Sequence, residues 1–574
     1  MKYLTHVPWI VPLLAGTGFI IEAQAASPVR QPLSFQYTWD VGYGRSVFVV
    51  GNHEDVGAWD PEQAVKLYWT SGNVWTGRVG VQSGAALEYK FIARTNSPAQ
   101  YGNADNVEWT GGANLATQAP AEAAAPYTGK TILYHSGWTN AGLVYRVGTN
   151  WFAAAMSRAG AGRNGSEYRY EASGFGEAGE PVEFAPYGYY NGTQYWDHAP
   201  YGGYGGSNYY TPLDVFFLQD GNVFNYWPPT NVSASRIIGT NVASSWAPTI
   251  PSRGCRIYLP RGYDQNTWKR YPVLYMHDGT NVFQPGGGLG CWDADLTADK
   301  EISQGRMREC IIVAVDNTSK RNSEYCPPGD QEGSEPGTGD QYANFLVHNV
   351  RPTIDTHYRT LNDFDNTLTA GSSMGGLISA YLGLRTNVFS KIGAFSPAFL
   401  VSSNFMDWIG SNNTRGVRMY MDIGTADSTE IELWPDTWRA YELFMADGYV
   451  PNDDLRMVVG CGQTHNEAAW ASRLPRVYQY LLSLWDEPNL LAQEEYPPEI
   501  GLAGSTNYAV AFTALRGRTY ALERSLTLAG GSWSNAGSLA EESMPWAPRS
   551  IADTNPPAVS GPVFYRVSAD AWPP

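Results

Sequence analysis

The turn Gly371-Ser372-Ser373-Met374-Gly375 stands directly between an apolar run, residues 367–370, and a helix-like run. Where a strand folds sharply back into a helix, the residues two before and two after the central serine must be small. That serine then stands exposed at the strand's carboxyl end. A serine hydroxyl is a weak nucleophile until a base takes its proton. Of the chain's 8 histidines only His465 lies beyond Ser373, after an apolar run and a Gly-rich loop. The carboxylate that orients such an imidazole belongs on the loop after the intervening strand. There, residues 419–427 offer Asp422 and Asp427. Asp422 falls within the apolar run and Asp427 past the Gly-Thr turn, which favours Asp427. The backbone N–H of Met374 would face a developing oxyanion. A second donor is the N–H of Thr280, following Gly279; losing one such donor typically costs roughly 10²–10³ in rate. His277, in the same segment, reads as structural. Together these residues fit a serine nucleophile activated by a histidine base that an aspartate orients.

The elements that must position them lie between about 252 and 486. Apolar strand-like runs at 273–277, 311–315, 367–370, 418–423 and 455–459 alternate with helix-like segments, which predicts a mostly parallel sheet flanked by helices. The chain order serine, acid, histidine is that of α/β-hydrolases. His277-Asp278-Gly279-Thr280-Asn281-Val282-Phe283, Glu324-Tyr325, the Gly371–Gly376 turn, Gly424-Thr425-Ala426-Asp427 and His465-Asn466-Glu467-Ala468-Ala469-Trp470 resemble the esterase family that includes family 1 carbohydrate esterases and enterochelin esterases. The resemblance covers about 250–486 and implies hydrolysis of acyl esters through an acyl-Ser373 intermediate. Some members transfer the acyl group to a sugar hydroxyl instead of water. No cofactor or metal is called for.

Upstream, strand-like runs at 45–50, 64–69, 77–81 and 87–92 separated by turns predict a small β-sandwich. The segment 47–61, with Gly57-Ala58-Trp59-Asp60, and the segment Glu88-Tyr89-Lys90-Phe91-Ile92 resemble a family 20 carbohydrate-binding module, a starch-binding domain, over about 33–118. By motif the resemblance puts its sugar site on Trp59, Lys90 and Trp109, with Asn114 beside them. An Ala/Pro-rich linker at 118–126 leads to a second β-rich block, 128–228. Gly137-Trp138-Thr139-Asn140, Trp151, Met156, Tyr195-Trp196-Asp197 and Ser207-Asn208-Tyr209 are similar to the family 25 starch-binding module, which implies stacking platforms at Trp151 and Trp196. The histidine that family carries before its tyrosine is replaced here by Val144. A last block, 498–574, returns to short strands and shows no site.

Composition agrees with a carbohydrate ligand. Charged residues make up only 16%, while 21 Trp and 37 Tyr are present, and aromatic faces stack on the C–H patches of pyranose rings. A net charge of −17 argues against nucleic acid or anionic lipid as partner. Lys2, the apolar run to Ile21 and Ala23-Gln24-Ala25 read as an export signal over 1–25, so the mature chain is expected to be extracellular or periplasmic, with no spanning helix. Five cysteines lack metal-site spacing; an odd number leaves at least one thiol unpaired, and the connectivity stays open. The expected architecture is two N-terminal β-sandwich modules, a central α/β-hydrolase domain and a small C-terminal β domain. The expected function is a secreted ester hydrolase targeted to starch-like α-glucans and acting on a small or carbohydrate ester. The alternatives are an acyltransferase with the same triad and a glucan-binding protein using the hydrolase domain as scaffold.

Overall fold

The computed structural model describes residues 30–484 apart from 83, 98–99, 101–105, 120–128, 165, 201–207, 227, 230, 247–248, 268 and 415; beyond them it describes 499–502, 508–515, 518–525, 534–541, 546–553 and 564–569. The expected export signal and most of the expected linker lie outside the described residues.

An eight-stranded sheet carries the residues singled out for acyl chemistry. Its strands in chain order are β1 Arg236–Val242, β2 Arg253–Leu259, β3 Val273–Met276, β4 Ile311–Val315, β5 Thr367–Ser372, β6 Lys391–Phe395, β7 Arg418–Gly424 and β8 Leu455–Gly460. Across the sheet they lie in the order β1-β2-β4-β3-β5-β6-β7-β8. The β1–β2 and β2–β4 pairs are antiparallel and all others parallel. Parallel neighbours need crossover connections, commonly helical. The helices used below are α1 Ala294–Ser303 between β3 and β4, α2 Met374–Arg385 between β5 and β6, α3 Ser428–Ala446 between β7 and β8, and α4 Glu467–Leu481 after β8.

Helices on both faces explain the unbroken apolar runs: every residue of β4, Ile-Ile-Val-Ala-Val, is buried. Val273 and Tyr275 enter the core on one face with Leu377 of α2 and Trp434 of α3. Leu274 and Met276 enter the other with Ala298 of α1 and Leu474 of α4. After β3 the chain moves outward to β4, then returns to the other side of β3 for β5. A crevice opens at the carboxyl ends of strands flanking such a switch point, and ligands of open α/β sheets bind there.

The N-terminal region is sheet-rich. Arg30–Thr38, Val74–Gln82 and Tyr68–Thr70 form one sheet; Val65–Lys66, Arg45–Gly51, Ala86–Thr95, Glu108–Trp109 and Leu115–Gln118 form the other. Phe35, Val47, Trp75, Val79 and Phe91 fill the space between them. The single strand expected at 64–69 is two short strands in different sheets. Leu67 bridges them, its N–H donating to the Val47 carbonyl at 2.8 Å. The next block has two five-stranded sheets around Ile132, Tyr170, Phe184 and Phe216. The last has two three-stranded sheets. All five cysteines are free: Cys255, Cys310 and Cys326 buried, Cys291 and Cys461 partly so. Among the described residues no helix is long and apolar enough to cross a membrane.

Ile312, fully buried in β4, tests the central sheet. Ile312→Ala should cost about 2–5 kcal/mol, read as a lower denaturation midpoint for the unfolding transition of the eight-stranded-sheet domain in urea.

Candidate active site

Ser373 sits between β5 and α2 with φ 57° and ψ −122°, a conformation that costs a non-glycine residue roughly 1–3 kcal/mol. Close backbone approach imposes it. A Cβ on Gly371 would meet the Gly375 carbonyl carbon at 2.8 Å, and one on Gly376 would meet the Phe395 carbonyl oxygen at 3.0 Å. The turn is tied down by Ser373 N–H donating to Phe395 O at 2.9 Å and Ala398 N–H donating to Ser373 O at 3.0 Å. Met374 begins α2, so its N–H is one of the first-turn donors with no partner inside the helix.

Thr280 lies across the switch point, on the loop after β3. A one-turn helix, Gly279–Asn281, starts there from Asp278 in the left-handed region, φ 56°. Arg321 pins Asp278 with two hydrogen bonds of 2.7 Å. Gly279 must lack a side chain because a Cβ would meet Asp316 Oδ1 at 2.6 Å; a Cβ on Gly375 would lie 3.3 Å from Asp278 Oδ2 and 3.5 Å from His277 Cβ. The Thr280 loop therefore packs against the first turn of α2. His277 is buried, 2.9 Å from Tyr342 Oη and 3.1 Å from Thr369 Oγ1. Burial, reinforced by Arg321 and Arg253, drives its pKa from 6.5 down to about 3, so it is a neutral structural imidazole.

His465 follows β8. Its ring packs edge-on against Trp470, centroids 5.0 Å apart, and its Nδ1 lies 3.3 Å from Glu430 Oε1. That approach is close but not aligned as a hydrogen bond, because Nδ1 has no partner of good geometry among the described residues. Catalytic hydrogen bonds in substrate-free sites are often loose in this way. Glu430 is fully buried. Its Oε1 accepts from Ser396 Oγ at 2.7 Å and its Oε2 from Gly424 N–H at 2.9 Å.

The carboxylate set against the ring is therefore Glu430, not the Asp427 expected from the sequence. Asp427 is the N-cap of α3: its Oδ1 accepts from Glu430 N–H at 2.9 Å and its Oδ2 from the backbone N–H of His465 at 2.6 Å. Partial burial works against its charge, but those two amides hold its pKa below the usual carboxylate range. It positions the histidine through the main chain. Asp422 is excluded by saturation. Its oxygens accept from Arg473 Nε at 2.7 Å and Nη2 at 3.1 Å, Tyr420 Oη at 2.9 Å and Ser396 N–H at 2.9 Å. A signal for Glu430 was present: Asp427-Ser428-Thr429-Glu430 is a capping-box pattern, in which the N3 carboxylate turns back toward the start of the helix.

The residues expected at the starch site attach to Ala86–Thr95 of the first module or to its neighbouring strand. Trp109 pairs with Ile92 and stands 41% exposed. Lys90 Nζ donates to the Gly112 and Thr110 carbonyls at 2.9 and 3.4 Å, and Asn114 Nδ2 to Glu88 at 3.2 Å. Trp59, half-buried with φ 62°, hangs its N–H on Gly51 O, and Gly51 is the cross-strand partner of Tyr89. In the second module Trp151 and Trp196 are exposed. Trp151 pairs with Arg146, and Trp196 with Tyr187, whose partner is Gly142. Residues 142 and 146 point the same way in a strand, so the two indoles share the outer face of that sheet.

Fold and topology define a chain whose central domain is a mostly parallel α/β sheet with helices on both faces. Residues 250–479 match the family described as "Putative esterase", and residues 31–128 the family described as "Starch binding domain". The chain thus joins an esterase domain to a starch-binding domain. It is 22% identical to the uncharacterized protein YbbA of Bacillus subtilis over 40% of this chain and 92% of that one. It is 35% identical to an alpha-amylase of Streptomyces violaceus over 15% of this chain and 14% of that protein. It is 30% identical to an endo-1,4-beta-xylanase/feruloyl esterase of Xylanibacter ruminicola over 39% of this chain and 28% of that one. The chain therefore spans only a minor part of the latter two. A solved ferulic acid esterase aligns over 43% of this chain and 98% of its own, at 21% identity and a TM-score of 0.35.

His277 makes stability pH-dependent with a defined sign. Below pH 6.5 an unfolded chain binds a proton that the folded one refuses until about pH 3, so stability falls as pH drops through that window. His277→Gln should lessen the loss of urea stability between about pH 7 and pH 5 by about 2 kcal/mol.

Proposed function

We propose that this chain is a secreted carboxylic ester hydrolase that works through an acyl-serine intermediate on Ser373 and is held on starch-like α-glucans by its N-terminal modules. The observation that carries the reading is the buried Glu430 carboxylate beside His465 Nδ1, on the sheet edge where Ser373 holds its strained turn. In this mechanism His465 takes the Ser373 proton at Nε2 as Oγ attacks the ester carbonyl. Glu430 holds the imidazole by its other nitrogen and stabilises the cation that forms. The N–H groups of Met374 and Thr280 receive the oxyanion. His465 then gives its proton to the departing alcohol, and a water activated by the same base releases the acid from Ser373. The apolar run and small-residue site at 7–25 support export.

Ser373→Ala should reduce ester hydrolysis by about 10⁶ in kcat, and retention of more than about a thousandth of it would sink the assignment. Glu430→Gln should lower kcat by roughly 10⁴ and exceed the effect of Asp427→Asn. If Asp427→Asn proves the more damaging, the acid has been misplaced.

Starch retention is assigned to Trp59, Lys90 and Trp109, aided by Asn114, with a second contact at Trp151 and Trp196. Aromatic contacts of this kind contribute on the order of 1 kcal/mol beyond area burial, and two linked sites on one polymer reinforce each other. Trp59→Ala with Trp109→Ala should weaken sedimentation with granular starch. Adding Trp151→Ala and Trp196→Ala should abolish what remains. Unchanged pull-down in the fourfold variant, or equal competition by cellulose, would end the α-glucan reading.

A further inference from the structure

The starch-binding domain does not merely precede the esterase domain; one face of its sheet is built into it. Side chains alternate along Ala86–Thr95. Leu87, Phe91 and Ala93 point into the domain's own core. Glu88, Lys90, Ile92 and Arg94 line the opposite face, and that face has two halves. Its inner half is docked: Ile92, with Phe48 and Val50 of the neighbouring strand, is buried in the same apolar cluster as Ile423 of β7 and Leu433 of α3. Lys66, 5% exposed, pairs with Glu442 of α3 and sits over the Trp438 ring at 4.5 Å. Asn452 Nδ2 donates to Asp55 O, and Gly80 N–H to Pro451 O, both at 2.8 Å. The residues assigned to glucan binding occupy the rest of that face: Lys90 with Asn114 alongside, and Trp109 opposite Ile92 at the border with the docked half.

The site also reaches the esterase machinery through its own loop. Trp59 leads into the turn Pro61–Gln63. Arg94 donates to the Pro61 carbonyl, and Glu62 lies beside the Cys461 thiol. Cys461 lies on the loop that carries His465, and that loop is bound in turn by Gly462 N–H to Thr425 Oγ1 at 2.8 Å. Lys90 and Arg94 are four residues apart on one strand, about 13 Å. One turn of chain therefore separates a sugar platform from the histidine loop. A module that only tethers an enzyme to a granule needs no such registration, because a flexible linker already supplies the local concentration. Registration matters when the chain that is gripped is also the chain that is deacylated.

Resting on the esterase reading above, we propose that the ester substrate is an O-acylated α-glucan, whose sugar backbone occupies Trp59, Lys90 and Trp109 while an acyl group on the same chain enters at Ser373. The products are the free carboxylic acid and the glucan hydroxyl, with water as the only co-reactant.

The test uses the full chain on three soluble substrates: acetylated maltodextrin, acetylated xylan and p-nitrophenyl acetate. Soluble substrates remove any granule to be targeted to. The wild-type chain should prefer acetylated maltodextrin over acetylated xylan, and unacylated maltodextrin should inhibit the former competitively. In Trp59→Ala with Trp109→Ala, kcat/KM for acetylated maltodextrin relative to p-nitrophenyl acetate should fall about tenfold or more, the loss residing in KM. A docking variant, Lys66→Glu with Asn452→Ala, should keep starch pull-down and p-nitrophenyl acetate hydrolysis but lose the same preference. Equal use of the two polysaccharides by the wild type, or an unchanged ratio in both variants, would overturn the proposal while leaving the esterase reading intact. Failure of the wild type to hydrolyse any of the three would instead overturn the esterase reading itself.

Discussion

At the elbow after β5 two glycines touch, and the rest of the site is arranged around that contact. Gly371 lies so close to the Gly375 carbonyl that a single methyl group would collide. The approach turns the chain from strand to helix in one residue and leaves Ser373 in a region that side chains otherwise avoid. It also brings the first turn of α2 against the loop after β3, so one backbone crossing sets both the hydroxyl and the two amides that would face an oxyanion. The strain is tolerable because the surrounding sheet is buried on both faces, where rearrangement would cost more than the turn does.

A second layer of constraint holds Glu430 and His465. Ser396, fully buried with φ 40°, donates from Oγ to Glu430 and accepts from Trp470 Nε1 at 3.1 Å. Its N–H reaches Asp422, which is clamped by Arg473. Burial disfavours the charge on Arg473, yet Asp422 more than offsets this and holds its pKa above the ordinary value. A buried charge with one partner removed is far costlier than the pair. The network therefore resists partial change, and Glu430 has little freedom except toward His465.

Much of this was readable from the residues. The five consecutive β-branched or small apolar residues of β4 fit a strand covered on both faces. The glycines around Ser373 and the solitary late histidine marked a strand–helix turn and a loop. Two things were not readable, each for a physical reason. Asp427 and Glu430 both lie at one helix start, and choosing between them required knowing that the shorter side chain is consumed in capping. The run at 64–69 looks like one strand because alternation records which side of a sheet a residue faces, and not which sheet it belongs to.

The free thiols carry a consequence beyond their number. Burial lifts Cys255 and Cys326 to about 12, and Cys461, beside Glu62, also to about 12. Thiolates are the species that exchange, oxidise and bind soft metals, and here they are scarce at neutral pH. The fold draws none of its stability from cross-links between them. A reducing medium therefore removes no bond from it. What holds the chain is instead its doubly covered sheet and buried ion pairs such as Arg473 with Asp422 and Arg253 with Glu324.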